Sequence, residues 1–351
     1  MSTLISHPTA MLRLLFAATC FFTATAQAQD QVLNLYSARH YQTDEALYAD
    51  FTRSTGIRIN RVDADDAGLL ARLKSEGSSS PADVILLVDA ARLWRAEVDG
   101  LFLPVRSKLL EARIPAALRS KQGPEGSSWF GFSTRARVIV YDKTRVLPED
   151  VDTYEKLATP VNKGRLCTRS GSHPYNLSLF GAMAEHRGPA ATQTWLAGFV
   201  AHMARAPKGG DTDQIQGVAS GECAVALVNT YYLARKMRST KPQDQQDMQR
   251  LGVLFPNQRG SGAHVNIAGG AVARYSRQPQ LAVRFLEYLA SDAAQRYFAQ
   301  GNNEWPVVPE LTIDNPPLQQ LGKFKADDVP VSVIGMNQVK VQQMLDRVGY
   351  R

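Results

Sequence analysis

The sequence predicts an α/β protein of two lobes with a hinged cleft between them. Three observations predict it. Strand and helix patterns alternate as β-α-β-α-β over 32–88, two long extended stretches at 129–141 and 264–273 interrupt that rhythm, and the rhythm restarts at 165–228. Such alternation implies parallel strands covered by helices. Two such units joined by extended crossovers enclose a cleft, and 351 residues suffice for about two domains.

The first strand is 32–36, Val-Leu-Asn-Leu-Tyr, followed by a polar turn and an amphipathic helix over about 43–55 that Gly56 closes. A strand over 57–62, a helix over 67–76 and a strand over 83–88 complete the opening unit. The next helix is 89–99, because Leu93, Trp94 and Val98 recur at helical spacing and Gly100 follows as a stop. Segments 129–133 and 137–141 form one long extended passage out of the lobe. The second lobe then reads as strand 165–168, helices 177–186, 190–203 and 213–220, and strand 224–228. Asp211 and Gln214 have capping-box spacing ahead of the last of these helices. A second extended passage at 264–273 and helices 279–289 and 292–299 return to the first lobe. The expected lobes are therefore 29–134 with 263–310, and 135–262 with 311–351.

Residues 1–28 read as a signal peptide. Arg13 begins a short basic-to-apolar segment, Leu14 to Phe22 is almost wholly apolar, and Ala26-Gln-Ala28 has the small-x-small form of a cleavage site. The apolar run is shorter than the roughly 20 residues a bilayer span needs. The residues before Cys20, Ala17-Ala-Thr19, fit a lipid-attachment sequence poorly. The expected mature protein is periplasmic and begins near Gln29.

The formal charge of +7 falls to +6 without that segment, which holds Arg13 and no acidic residue. Lys and Arg are interleaved with Asp and Glu rather than gathered in a stripe, which argues against nucleic acid as a partner. At 44% hydrophobic and 21% charged the composition is that of an ordinary globular protein. Two cysteines remain, Cys167 and Cys223. An oxidising compartment invites a disulfide between them, while their strand-like surroundings equally suit two buried small apolar residues.

Three strand-to-helix junctions carry the chemistry. They are Tyr36-Ser-Ala-Arg-His40-Tyr41, Ser170-Gly-Ser-His173-Pro-Tyr175-Asn176 and Asn229-Thr-Tyr231-Tyr232. In open α/β sheets ligands lie at the carboxyl ends of strands, so Tyr41, Tyr175, Tyr231 and Tyr232 are placed to face the cleft. Helical neighbours diverge by about 100°, so Tyr231 and Tyr232 converge on one atom only where a strand gives way to a helix, with Asn229 or Thr230 as the cap. Phenolate is a hard donor suited to a hard, highly charged cation, of which ferric iron is the natural example. Four phenolates around Fe3+ leave one negative charge, and Arg135 and Arg235 are candidates to offset it. Each reads equally as a surface arginine. His173 is expected to shape the Tyr175 loop, and His264 to satisfy backbone groups at the second crossover.

Seven stretches carry a resemblance. They are Leu35-Tyr-Ser-Ala-Arg-His-Tyr-Gln-Thr-Asp44, Ser80-Pro-Ala-Asp83, Val88-Asp-Ala-Ala-Arg-Leu-Trp-Arg-Ala-Glu97, Asn229-Thr-Tyr-Tyr-Leu-Ala-Arg235, Phe255-Pro-Asn-Gln258, His264-Val-Asn266 and Gly301-Asn-Asn-Glu304. Over about 32–309 the chain resembles the periplasmic ferric-ion-binding proteins of ABC importers, above all the branch typical of cyanobacteria. The resemblance implies a type II-like periplasmic binding fold, Fe3+ as cargo rather than catalytic cofactor, an inner-membrane ABC permease as partner, and a monomer. It carries the metal-ligand role over to Tyr41, Tyr175, Tyr231 and Tyr232. His40 occupies the place of a histidine that is a ligand in some members and a bystander in others. The other familiar branch uses a first-lobe glutamate, for which this sequence offers no compelling equivalent.

Two rival readings are weighed against this one. An organic cation or an anion, such as a polyamine or thiamine, can occupy the same fold, and an aromatic cage for a cation would also use tyrosines. A secreted hydrolase would need a nucleophile with a base in reach, and the chain has no Gly-x-Ser-x-Gly elbow, no His-Glu-x-x-His and no phosphate-cradling glycine loop. No enzymatic activity is expected.

Overall fold

The computed structural model describes residues 1–3, 31–39, 41–309 and 311–351. Residues 4–28 of the signal peptide, Cys20 among them, and His40 lie outside the described residues. In chain order, the first lobe opens with β1 (Val32–Ser37), α1 (Asp44–Thr55), β2 (Arg58–Asp63), α2 (Asp66–Glu76), β3 (Val84–Leu87), α3 (Ala90–Val98), β4 (Phe102–Leu103) and α4 (Lys108–Arg113). A 13-residue strand, β5 (Phe130–Asp142), leads out of it. The second lobe follows with β6 (Leu166–Cys167), α5 (Pro174–Arg187), α6 (Pro189–Ala201), α7 (Asp211–Ala219), β7 (Val225–Asn229), α8 (Thr230–Met237), α9 (Pro242–Arg250) and β8 (Leu251–Leu254). The chain ends with β9 (Val265–Ala273), α10 (Pro279–Leu289), α11 (Asp292–Asn302), β10 (Trp305–Pro306), α12 (Pro316–Leu321) and α13 (Val331–Val348).

The elements form where local chemistry favours them. Helix α1 stops at Gly56, whose φ of 75° lets its N–H close on the Thr52 carbonyl. Helix α3 starts at Asp89, whose side chain accepts from the Ala91 N–H at 2.9 Å. The outer strand β2 alternates exposed and half-buried residues, whereas β3 is buried throughout, as expected of an edge and an inner strand.

The first-lobe ladder runs β2-β1-β3-β9-β5, parallel among β1, β2 and β3 and antiparallel from β3 onward. Strand β5 then changes partners. Up to Ala136 it pairs with β9, and from Arg137 it pairs with β7. Strands β6 and β8 complete the second ladder. Each lobe has its own apolar core. Phe51, Phe130 and Phe285 are among the residues that fill one face of the first sheet, while Phe180, Trp195 and Phe199 lie in the second lobe. Helix α13 packs on α5 and α6, and it also meets α3, where a Cβ on Gly335 would fall 2.5 Å from Trp94 Cγ, so only glycine allows the approach. No helix among the described residues is long and apolar enough to cross a membrane.

Most predicted elements appear within a few residues, and three differences matter. Helix α5 starts at Pro174 rather than near Leu177, because proline is preorganised for the first helical position and His173 supplies the cap. The α7 cap is the Gly210 N–H donating to the Asp213 carboxylate at 2.7 Å, so Asp211 and Gln214 do not form the expected capping box. Helices α4, α9, α12 and α13 have no counterpart in the sequence reading.

Candidate metal site

The three tyrosine junctions converge at the cleft between the lobes. Tyr41 follows β1, Tyr175 lies in the first turn of α5, and Tyr231 and Tyr232 lie in the first turn of α8. The Tyr175 and Tyr231 hydroxyls are 3.0 Å apart. From the first lobe the Tyr41 ring meets the Tyr231 ring edge-on, with centroids 5.8 Å apart. The Tyr231 and Tyr232 rings pack against each other at 4.2 Å. The junction expected at this pair is present, because β7 ends at Asn229 and α8 begins one residue later. Asn229 is the cap residue by position but its side chain does not cap the helix, and the Thr230 hydroxyl instead accepts from the Ala136 N–H at 3.2 Å.

Three of the phenols, Tyr41, Tyr175 and Tyr231, are held neutral. Burial raises Tyr41 and Tyr231 well above the ordinary phenol range, with Glu304 adding to the effect at Tyr41 and the neighbouring tyrosines adding at Tyr231. Tyr175 is raised first by burial, and the nearby Arg135 guanidinium pulls in the opposite direction. A cation able to displace these protons must supply a strong local field.

Arg135 comes off the middle of β5 into the site and is 2% exposed. Its guanidinium carbon lies 5.5 Å from the Tyr175 ring centroid, and none of its three side-chain nitrogens has a hydrogen-bond partner among the described residues. A buried guanidinium without partners is costly unless charge arrives to meet it. Arg235, the other candidate, is exposed and lies over the Tyr232 ring at 5.2 Å.

His173 caps α5, its Nδ1 accepting from the Tyr175 N–H at 3.2 Å, and so fixes the turn that presents the phenol. The structure corrects the expectation for His264. Both of its ring nitrogens are buried without hydrogen-bond partners among the described residues, and its backbone serves the crossover, donating to Tyr154 Oη at 3.1 Å and accepting from the Arg137 N–H at 2.9 Å. Cys167 and Cys223 form a disulfide with Cα atoms 5.8 Å apart, joining β6 to the segment that enters β7.

Two features escaped the sequence reading. Glu304, which follows α11, is 1% exposed and accepts from the Tyr41 hydroxyl at 3.3 Å, the Ser133 hydroxyl at 2.9 Å and Arg39 at 3.3 Å. It is a first-lobe carboxylate at the cleft, and its place in the Gly301-Asn-Asn-Glu304 stretch was the available signal. Arg39, paired also with Asp44 at 2.7 Å, lies 4.9 Å from the Tyr41 ring centroid. At this cluster the cleft opens into a cavity of about 610 Å3 whose lining includes Tyr41, Tyr175, His173, Arg39, Arg61 and Asp66.

Comparison with known proteins agrees with this architecture. Residues 46–326 match the family described as bacterial extracellular solute-binding protein. Iron uptake protein A1 of Synechocystis sp. is 44% identical over 328 residues, covering 93% of this chain and 90% of that protein. Among solved structures, the Trichodesmium protein IdiA (FutA) in complex with iron and citrate ligands has a TM-score of 0.85 at 47% identity, covering 91% of this chain and 100% of that one. The ferric binding protein from Campylobacter jejuni has a TM-score of 0.86 at 36% identity, with the same coverage of both chains. With the family model spanning most of its length and the two-lobed fold shared with these structures, the chain belongs to the bacterial extracellular solute-binding proteins.

Proposed function

We propose that this protein captures ferric iron in the periplasm through the phenolates of Tyr41, Tyr175, Tyr231 and Tyr232 and delivers it to an inner-membrane ABC permease. The iron uptake and ferric-binding relatives support the cargo. The observation that carries the ligand set is the hydroxyl contact between Tyr175 and Tyr231 at 3.0 Å beside the Arg135 guanidinium, which is buried without a hydrogen bond among the described residues. Hard phenolate donors suit Fe3+, and four of them leave a single negative charge that Arg135 neutralises. A cage for an organic cation would not bury an arginine among its rings, because like charges repel. His40, adjacent to Tyr41 in sequence, either completes the shell or stands beside it.

The lobes are proposed to divide as 29–134 with 263–310 and 135–262 with 311–351, after removal of the 1–28 signal peptide, and the protein works as a monomer. The open apoprotein takes iron on the three second-lobe tyrosines, and closure brings Tyr41 to the metal. The double variant Tyr231→Phe/Tyr232→Phe tests the assignment. It is expected to lose the red-to-orange tyrosinate-to-iron band of the holoprotein and its stoichiometric iron. Retention of one iron per protein in that variant would overturn the reading. Iron should also lower the radius of gyration in solution scattering, and an unchanged radius counts against closure.

A further inference from the structure

Beneath the second-lobe tyrosines lies a buried ion pair that the metal reading does not use. Asp211 opens α7 and is fully buried. Its Oδ2 accepts from Arg137 Nη1 at 2.6 Å and from the backbone N–H of Asn229 at 2.7 Å, and its Oδ1 accepts from Arg169 Nη1 at 3.2 Å. Arg137 in turn donates through Nη1 to Asn229 Oδ1 at 3.3 Å and through Nη2 to Asn176 Oδ1 at 2.9 Å.

These contacts reach both segments that carry the second-lobe candidate ligands. Asn176 directly follows Tyr175 on α5, and Asn229 directly precedes α8, whose first turn holds Tyr231 and Tyr232. Arg169 stands in the loop ahead of α5, its guanidinium carbon 4.9 Å from the Tyr175 ring centroid. Burying two charges is expensive, and well-packed apolar residues often hold elements together as well or better. What an arginine fork adds is geometry, because its donors are fixed in one plane and bind acceptors at set angles.

We propose that Asp211, acting with Arg137, is a positioning residue of the tyrosine site. The pair fixes the separation of α5 from α8 before iron arrives, so the second lobe meets the metal with its phenols already in register. This inference rests on the tyrosine reading above.

The full chain, loaded from ferric nitrilotriacetate, tests it in three variants. Asp211→Leu/Arg137→Met removes both charges, Arg137→Lys keeps the charge but loses the fork, and Asp211→Asn keeps an acceptor for the Asn229 amide. The measurements are apoprotein melting temperature, iron affinity by competition with nitrilotriacetate, and the position and intensity of the tyrosinate band. We expect the double variant and Arg137→Lys to fold, to bind iron at least about tenfold more weakly, as outer-shell changes at metal sites do, and to shift or weaken the band. Wild-type affinity and an unshifted band in either folded variant overturn the inference. Should the double variant fail to fold, Arg137→Lys and Asp211→Asn decide by the same two readouts. A wild-type protein that binds iron without any tyrosinate band instead refutes the tyrosine reading, so the two failures are distinct.

Discussion

The hydroxyls of Tyr175 and Tyr231 lie 3.0 Å apart, at hydrogen-bond distance, so one of them donates its proton to the other in the apoprotein. Iron cannot join this pair without expelling protons. Because burial raises both phenols, they remain protonated at neutral pH until the metal arrives. Iron binding is therefore expected to release protons and to tighten as pH rises, log K gaining about one unit per pH unit for each phenol ionised. Calorimetry in buffers of different ionisation enthalpy measures the number released, and a value near zero contradicts phenolate ligation.

His264 makes the protein sensitive to acid. Burial, reinforced by the Arg137 and Arg135 charges, pushes its imidazole down to about 3. The native state keeps it neutral, whereas the unfolded chain protonates it near the ordinary value of about 6.5. Its favourable contribution is complete above about 6.5 and is lost as pH falls from there toward 3, at about 1.4 kcal/mol per pH unit. Urea unfolding at pH 7 and pH 4.5 should show a fall in stability that His264→Leu reduces by about 2–3 kcal/mol.

The Cys167–Cys223 disulfide closes a loop with a sequence separation of 56. A loop of this length corresponds to about 4 kcal/mol of chain-entropy stabilisation, of which real bridges deliver about 2–4 kcal/mol. Cys167→Ala/Cys223→Ala should lower the urea midpoint accordingly, and reductant should reproduce the shift in the wild type but not in the variant.

Arg238, at the end of α8, reaches across to the first lobe, donating to the Gln300 carbonyl and to Asn303 Oδ1, the latter at 3.2 Å. The contact is at the surface, where such an interaction is worth about 0–1 kcal/mol. Arg238→Ala is expected to speed iron release by no more than about fivefold, with the tyrosinate band unchanged. Stopped-flow transfer to a chelator measures it, and a shifted band places Arg238 in the metal site instead.

The parts of the molecule legible in the sequence were those governed by local rules. Gly56 and Gly100 ended their helices, the strand periods marked the first-lobe sheet, and the strand-to-helix junctions put Tyr41, Tyr175, Tyr231 and Tyr232 in one place. What stayed hidden depends on partners far away in the chain. Glu304 reaches Tyr41 across 263 positions, and Asp211 gains its three donors only when four separate segments meet. Arg135 and Arg235 were equivalent as letters, and only burial separates them. Helix α13 escaped because it serves both lobes and carries exposed apolar residues, Met336 and Val339, which blur a one-sided pattern.

The change of partner along β5 bears on how such proteins diversify. A graft of one protein's second lobe onto another's first must splice within a strand, at Ala136–Arg137 on β5, and again where β9 begins at Val265. A joint displaced by one residue would turn every later side chain of that strand to the opposite face. Arg137 would then leave Asp211 for the reverse of the sheet. Recombination between relatives is thereby confined to register-preserving crossovers, and a splice at this change of partner, two residues past the proposed lobe boundary at 134/135, sends the proposed counter-charge Arg135 with the first lobe and three of the four proposed phenolate ligands with the second.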